Sequence, residues 1–294
     1  MGLFTDLPGD DGAPGKARRL ATIAVMTTTA MAVLDGTIVN VALPSISTAL
    51  KVPAADAIWV ANGYLLAAAM TLITFSALAT RVGFRALYAS GGAVFTLASL
   101  GCALSVNLEM LTAMRVLQGI GGAAALSIGP AIYRTVFPTR LLGRILGLNA
   151  LMVAASTAIG PTLGGIVLSV AGWEWLFALN IPLGIVGVTL ALRAVPRTAT
   201  VKGPFDLIGA CLSALAMGAA IMATDSFSNA AEHGPDLLMA GVYSAITVLT
   251  ALAFVRRQQR APVPLLPLDI FASARFSLAA LTSLAAFVSQ GIMI

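Results

Sequence analysis

Apolar residues along this chain gather into nine runs, at about 21–43, 58–79, 86–105, 108–133, 145–170, 175–192, 207–223, 237–254 and 276–294, with polar residues mostly confined between them. Each run approaches the roughly 20 residues that a helix needs to cross a bilayer. Two runs carry a charge inside them. Asp35 lies eight residues before the far end of the first, and Arg115 lies eight residues after Asn107, where the fourth begins. At ~1.5 Å per residue, each sits roughly 12 Å below the same edge. A charge at that depth costs several kcal/mol and has to face protein or water. Opposite charges at matched depth on antiparallel helices are expected to find each other or water, although spacing does not establish that the two helices are neighbours. Such a pair is either a static ion pair or a switch in which protonation of Asp35 frees Arg115, and spacing leaves both open.

Composition strengthens this picture. Of 294 residues, 59% are hydrophobic and 10% charged, against roughly 25% charged in soluble domains, and the mean hydropathy is +0.95. The fold class is therefore an all-α polytopic membrane protein with no soluble domain left over. Cys102 and Cys211 fall inside apolar runs, and His233 has no ligand partner nearby, so neither a disulfide framework nor a metal site is expected. No loop holds a nucleophile with a base, which argues against an enzyme, and no cofactor is expected.

The net charge of +5 does not indicate nucleic acid, because the charges alternate in sidedness. Fifteen of the seventeen basic residues fall on one side, in the groups Lys16, Arg18, Arg19; Arg81, Arg85; Arg134, Arg140, Arg144; Arg193, Arg197, Lys202; and Arg256, Arg257, Arg260, Arg275. The opposite side has only Lys51, against Asp56, Glu109, Glu174, Asp225, Glu232 and Asp236. The positive-inside rule makes the basic side cytoplasmic and places the N-terminus there, in a cell (inner) membrane. Residues 1–19, rich in Gly, Pro and Asp, are expected to form a disordered cytoplasmic leader and not a cleaved signal. The connector 193–206 is the best boundary. It divides a six-helix half (20–192) from a connector and linker helix pair (193–260), which precede a loop and a ninth run (261–294).

Several motifs stand at definite places on this map. The first run contains Leu34–Asp35–Gly36–Thr37–Ile38–Val39–Asn40–Val41–Ala42–Leu43–Pro44, and the fourth contains Arg115–Val116–Leu117–Gln118–Gly119 with Gly121 and Ala123. Gly160–Pro161 and Gly164–Gly165 mark the fifth, where the proline is expected to kink a closely packed helix. Trp173, Trp175, Phe177, Asn180 and Pro182 lead into the sixth, and Phe205–Asp206 with Gly209 opens the seventh. Pro264–Leu265–Leu266–Pro267–Leu268 with Phe276–Ser277 leads into the ninth. In this order the motifs resemble the fourteen-span drug:proton antiporter group of the major facilitator superfamily, over nearly the whole chain.

That resemblance implies proton-coupled efflux of small hydrophobic or cationic compounds from a lipid bilayer. Asp35 would be the titratable group and Arg115 its modulator. Thr37, Asn40, Pro44, Gln118, Gly119, Gly160, Pro161, Gly164 and Gly165 would be signature and packing positions, and Arg81, Gly83 and Arg85 a cytoplasmic gate loop. Three positions depart from the pattern: Ser76 and Thr80 replace a glycine and an aspartate of the gate loop, and Ser156 replaces the first glycine of the fifth-helix motif. The group has a second six-helix half that transport requires, so the resemblance also implies a fragment, or a truncated remnant that inserts without transporting. Another solute porter of the same superfamily is a further alternative.

Overall fold

The computed structural model describes residues 3–5, 9–201, 203, 205–233, 237–261 and 264–282. The apolar runs fold as helices because hydrocarbon offers the backbone no partner other than itself. In order they are α1 (Gly15–Leu50), α2 (Ala54–Ala57), α3 (Trp59–Val82), α4 (Phe84–Ala103), α5 (Leu108–Val136), α6 (Leu142–Val170), α7 (Glu174–Ala178), α8 (Asn180–Ala194), α9 (Leu207–His233) and α10 (Leu237–Arg260). Short 3₁₀ turns occupy Thr139–Leu141 and Leu268–Ala272. Among the described residues eight helical segments are long and apolar enough to span a membrane. The ninth run begins as helix, but residues 283–294 lie outside the described residues.

Local signals explain the helix ends. Asn107 caps α5 by accepting from the Met110 N–H at 2.8 Å, and Glu109 in the first turn faces the positive end of the helix dipole. α1 closes on Lys51 at φ 55°, left-handed, with the Val52 N–H reaching back to Ser47 O at 3.0 Å. Gly83, at φ 93°, makes the one-residue break between α3 and α4, a conformation that side chains rarely adopt.

Small residues set the packing distances. A Cβ added to Gly121 would lie 2.6 Å from Phe95 N of α4, and one on Gly119 would lie 3.1 Å from Ala67 Cβ of α3. Ser156, Gly160 and Gly164 form the buried stripe of α6, four residues apart. A Cβ on Gly160 would collide with the Thr37 hydroxyl of α1, and one on Gly164 would press on Ile38 at 3.3 Å. Three apolar clusters follow the bundle axis. One, around Tyr88, Ile128, Ile132, Tyr133 and Phe137, lies toward the basic loops. A small middle cluster joins Met31, Ala32, Tyr64 and Phe95. The third, around Ile46, Val60, Leu111, Trp173 and Phe177, lies at the opposite end. α9 packs against α3 and α10. Large apolar side chains such as Leu97 (68% exposed) and Val170 (82%) point outward, an outer surface suited to lipid and not to water.

Several expectations need correction. The apolar pattern places the first helix at 21–43, but α1 runs 36 residues, so Pro44 lies inside it, on an exposed face where the lost N–H bond is tolerated. Residues 15–19 of the expected disordered leader are the first turn of α1. Before them, the Ala13 N–H donates to Val136 O at 3.0 Å, the Asp10 carboxylate pairs with Arg140, and Asp11 accepts from the Thr139 hydroxyl at 3.0 Å. Asp10 and Asp11 are thus held by the basic α5–α6 turn, and hydrogen bonds from Thr139 keep the Asp11 carboxyl below its ordinary range. α9 continues through the stretch expected as an acidic outer loop, to His233.

Candidate functional site

Asp35 belongs to the buried stripe of α1 with Met31, Ala32, Ile38 and Val39, so the helix periodicity that buries its neighbours also carries the carboxylate inward. Arg115 and Gln118, three residues apart on α5, present adjacent side chains to it, and both are fully buried. Arg115 Nη1 forms an ion pair with Asp35 Oδ2. The same nitrogen donates to Gln118 Oε1 at 2.8 Å, and Arg115 Nε donates to the Val60 carbonyl of α3 at 2.9 Å. Nη2 has no hydrogen-bond partner among the described residues. The guanidinium lies 4.3 Å from the centroid of the Tyr64 ring and 5.6 Å from that of Phe177, where the ring faces favour its charge.

Two further donors reach the carboxylate. Gln118 Nε2 donates to Asp35 Oδ1 at 2.9 Å, and Asn180 Nδ2, at the first turn of α8, donates to the same oxygen at 2.7 Å. Gln118 is the hub. Its Nε2 also donates to Ser99 Oγ at 2.8 Å, while its Oε1 accepts from Arg115 and from Cys102 Sγ at 3.6 Å, so all four of its hydrogen-bonding positions are used. Ser99 and Cys102 lie three residues apart on the buried face of α4. The network joins α1, α4, α5 and α8 directly, and α3 through Val60. Tyr64 adds a second α3–α1 tie, donating to Ala32 O at 3.1 Å.

Chemically, three donors converge on one carboxylate, a set complementary to its ionised form. The carboxylate therefore ties α1 to α5 and α8 at one point.

Of the residues singled out from sequence, Asp35, Arg115 and Gln118 meet here. Thr37 does not: its hydroxyl bonds the carbonyls of its own helix, Val33 O at 3.2 Å and Leu34 O at 3.0 Å. Asn40 and Pro44 are exposed on α1, and Pro161 is exposed on α6. Gly119, Gly160 and Gly164 act by close helix approach. Gly165 lies one step further around α6, where an added Cβ would meet nothing within 4 Å, so it is no part of that contact. Ser99, Cys102 and Tyr64 escape a reading of the sequence, and Asn180 enters it only as part of a motif. A polar amide between Phe177 and Pro182 in an apolar stretch is the available signal.

At the basic end, Arg81 donates to Gly203 O at 2.8 Å and lies 5.4 Å from the Phe205 ring centroid. Thr80 O accepts from the Val201 N–H at 2.9 Å, and the Phe84 N–H donates to Thr198 Oγ1 at 3.1 Å. The expected gate loop thus grips the connector that follows α8. No cluster of His, Cys, Asp or Glu that could hold a metal occurs among the described residues.

Residues 25–294 match the family described as Major Facilitator Superfamily. The chain is 43% identical over 282 residues to the uncharacterized transporter YebQ of Escherichia coli K12, covering 95% of this chain and 61% of that protein. It is 36% identical to the methylenomycin A resistance protein of Bacillus subtilis, covering 85% of this chain and 53% of that one. The chain therefore spans about half to three-fifths of the length of these relatives. A solved structure of the proton:xylose symporter XylE superposes with a TM-score of 0.53 over 77% of this chain and 56% of that one, at 16% identity, a likeness of fold alone.

Proposed function

Because the chain belongs to the Major Facilitator Superfamily, we propose that it serves the export of small hydrophobic or cationic compounds in exchange for protons, with Asp35 as the proton-carrying group and Arg115 as its modulator. The observation that carries this reading is the buried carboxylate ringed by Arg115, Gln118 and Asn180. The resistance named for the Bacillus subtilis relative favours export of a toxic compound. In this reading α1–α8 form one transporting half and α9–α10 a linker pair. The basic loops lie in the cytoplasm and place the N-terminus there, in the inner membrane. Carriers of this kind rock two halves about a site near the midplane. A second six-helix half is the partner that Asp35 would signal to, because protonation releases donors that tie α5 and α8 to α1.

The test uses the protein at its native length. Asp35→Asn, which mimics the protonated acid, is expected to bind hydrophobic cations and to lose proton-driven efflux at least tenfold. If the pair is structural, Asp35→Asn and Arg115→Gln each leave an uncompensated buried group and lower expression, and the double variant recovers it. Full proton-driven efflux in Asp35→Asn overturns the proton-carrier role.

A further inference from the structure

A cavity of about 450 Å³ opens where α3, α4 and α8 meet at the basic side, lined by Val82, Gly83, Arg85, Ala86, Leu192, Arg197, Thr198 and Thr200. Its chemistry is divided. Val82 and Leu192, each 44% exposed, form an apolar wall at the ends of spanning helices, where acyl chains begin. Arg85 and Arg197 supply two guanidiniums with no ion pair or hydrogen bond among the described residues. No carboxylate lines the cavity among the described residues. Thr198 Oγ1 accepts from the Phe84 N–H, which leaves its own proton free to donate. The first turn of α4 has no acidic residue, so the positive end of its dipole, at Gly83, is not offset locally.

We propose that this cavity binds a phosphate group, held by Arg85 and Arg197 with the Thr198 and Thr200 hydroxyls. Two guanidiniums match phosphate oxygens in geometry and charge, and the hydroxyls complete the set. The apolar wall fits a phosphate carried by an anionic phospholipid. A soluble phosphate would use the polar half of the cavity alone. Since Thr198 and Thr200 belong to the connector that the α3–α4 loop grips, an occupied site ties the connector to the ends of α4 and α8. This inference stands apart from proton coupling.

The experiment uses the native-length protein, purified in detergent and titrated separately with phosphatidylglycerol, phosphatidylcholine and inorganic phosphate. Bound lipid is read by native mass spectrometry, and phosphate by the shift in melting temperature. Phosphatidylglycerol is expected to be retained, with its half-saturating concentration rising at least tenfold in Arg85→Ala/Arg197→Ala. Arg134→Ala/Arg260→Ala removes the same charge from the same end and is expected to change it less than twofold. Inorganic phosphate raising the melting temperature of the parent but not of Arg85→Ala/Arg197→Ala would assign the same site to a soluble ligand. Should that double variant fail to fold, Arg197→Gln, at an exposed position, is expected to weaken retention three- to tenfold by itself. The proposal is overturned if the parent binds phosphatidylglycerol no better than phosphatidylcholine and does not respond to phosphate. Equal loss in the control pair, or none in the Arg85 and Arg197 variants, overturns it as well.

Discussion

Gln118 shows how much a single side chain can hold. It touches Asp35, Ser99, Cys102 and Arg115 at once, and it is fully buried. Removing the amide leaves Arg115 and Asp35 each short of a partner in a dry site, where each unsatisfied group costs about 1–3 kcal/mol. Gln118→Ala is expected to lower stability by about that amount, read as a lower melting temperature of the purified protein. Thr37→Val, two residues from Asp35, is expected to be close to neutral, because the Thr37 hydroxyl bonds only carbonyls of its own helix. Equal losses in the two variants would refute the assignment of Gln118 as the hub. From spacing alone Gln118 reads as a packing position, since nothing in a linear motif shows which neighbours its four hydrogen-bonding positions will meet.

Among the helices, the junction of α9, α10 and the segment after them is tied by one carboxylate. Asp206 accepts from the Gly209 N–H at 2.9 Å, from Arg257 Nε at 2.7 Å and from Gln258 Nε2 at 3.1 Å. Gln258 in turn accepts from the Leu265 N–H at 2.6 Å, pinning the proline-rich segment against Ala210 and Phe254. Partial burial pushes the Asp206 carboxyl up, but the hydrogen bonds from Gly209, Arg257 and Gln258 outweigh it and leave the group below its ordinary range. The sign follows: the clasp is complete above the usual carboxylate range and is lost as pH falls through the lower folded value. Arg257 is 40% exposed, so its ion pair alone contributes only about 0–1 kcal/mol. Hydrogen exchange at Leu265 and Leu266, corrected for intrinsic rates, should accelerate in Asp206→Asn at pH 7. In the parent it should accelerate only below about pH 4, near the ordinary Asp range. Unchanged exchange in Asp206→Asn would remove the clasp.

For the whole molecule, the alternation of basic and acidic connections predicts one orientation. Arg134 and the Arg256–Arg260 segment belong on the cytoplasmic side, and the end of α9 belongs outside. Ser226→Cys is expected to react with a membrane-impermeant maleimide in intact cells, and Arg134→Cys only after permeabilisation. The reverse labelling would invert the bundle and put the cavity beside Arg85 and Arg197 on the outer side. Eight spans among the described residues carry α3 and α5 back to back through Gly119, and α1 and α6 through Gly160 and Gly164. Close approach of this kind replaces the hydrophobic driving force that lipid cannot supply.

Membrane class, the approximate places of the eight described spans and the two intramembrane charges were legible in the sequence, and so was the alternation of basic and acidic connections on which the proposed orientation rests. Each depends on the local transfer free energy of a residue or on a count of Lys and Arg, and neither requires a contact between distant segments. The tertiary structure decided what convergence decides. Asp35 lies 15 residues before the end of a 36-residue helix, so matched depth did not follow from span ends. The pair forms because the buried stripes of α1 and α5 face each other. Asn180 reaches the same carboxylate from α8, and Ser99 and Cys102 join through Gln118, because helix rotation brings them to one point. Rotation also separates Gly164, packed on Ile38, from Gly165, which meets no neighbour. The leader is held in the same way: Asp10 and Asp11 find Arg140 and Thr139, about 130 residues away. Periodicity shows which face of a helix is apolar, but the neighbour that face meets is set by packing among all the helices together.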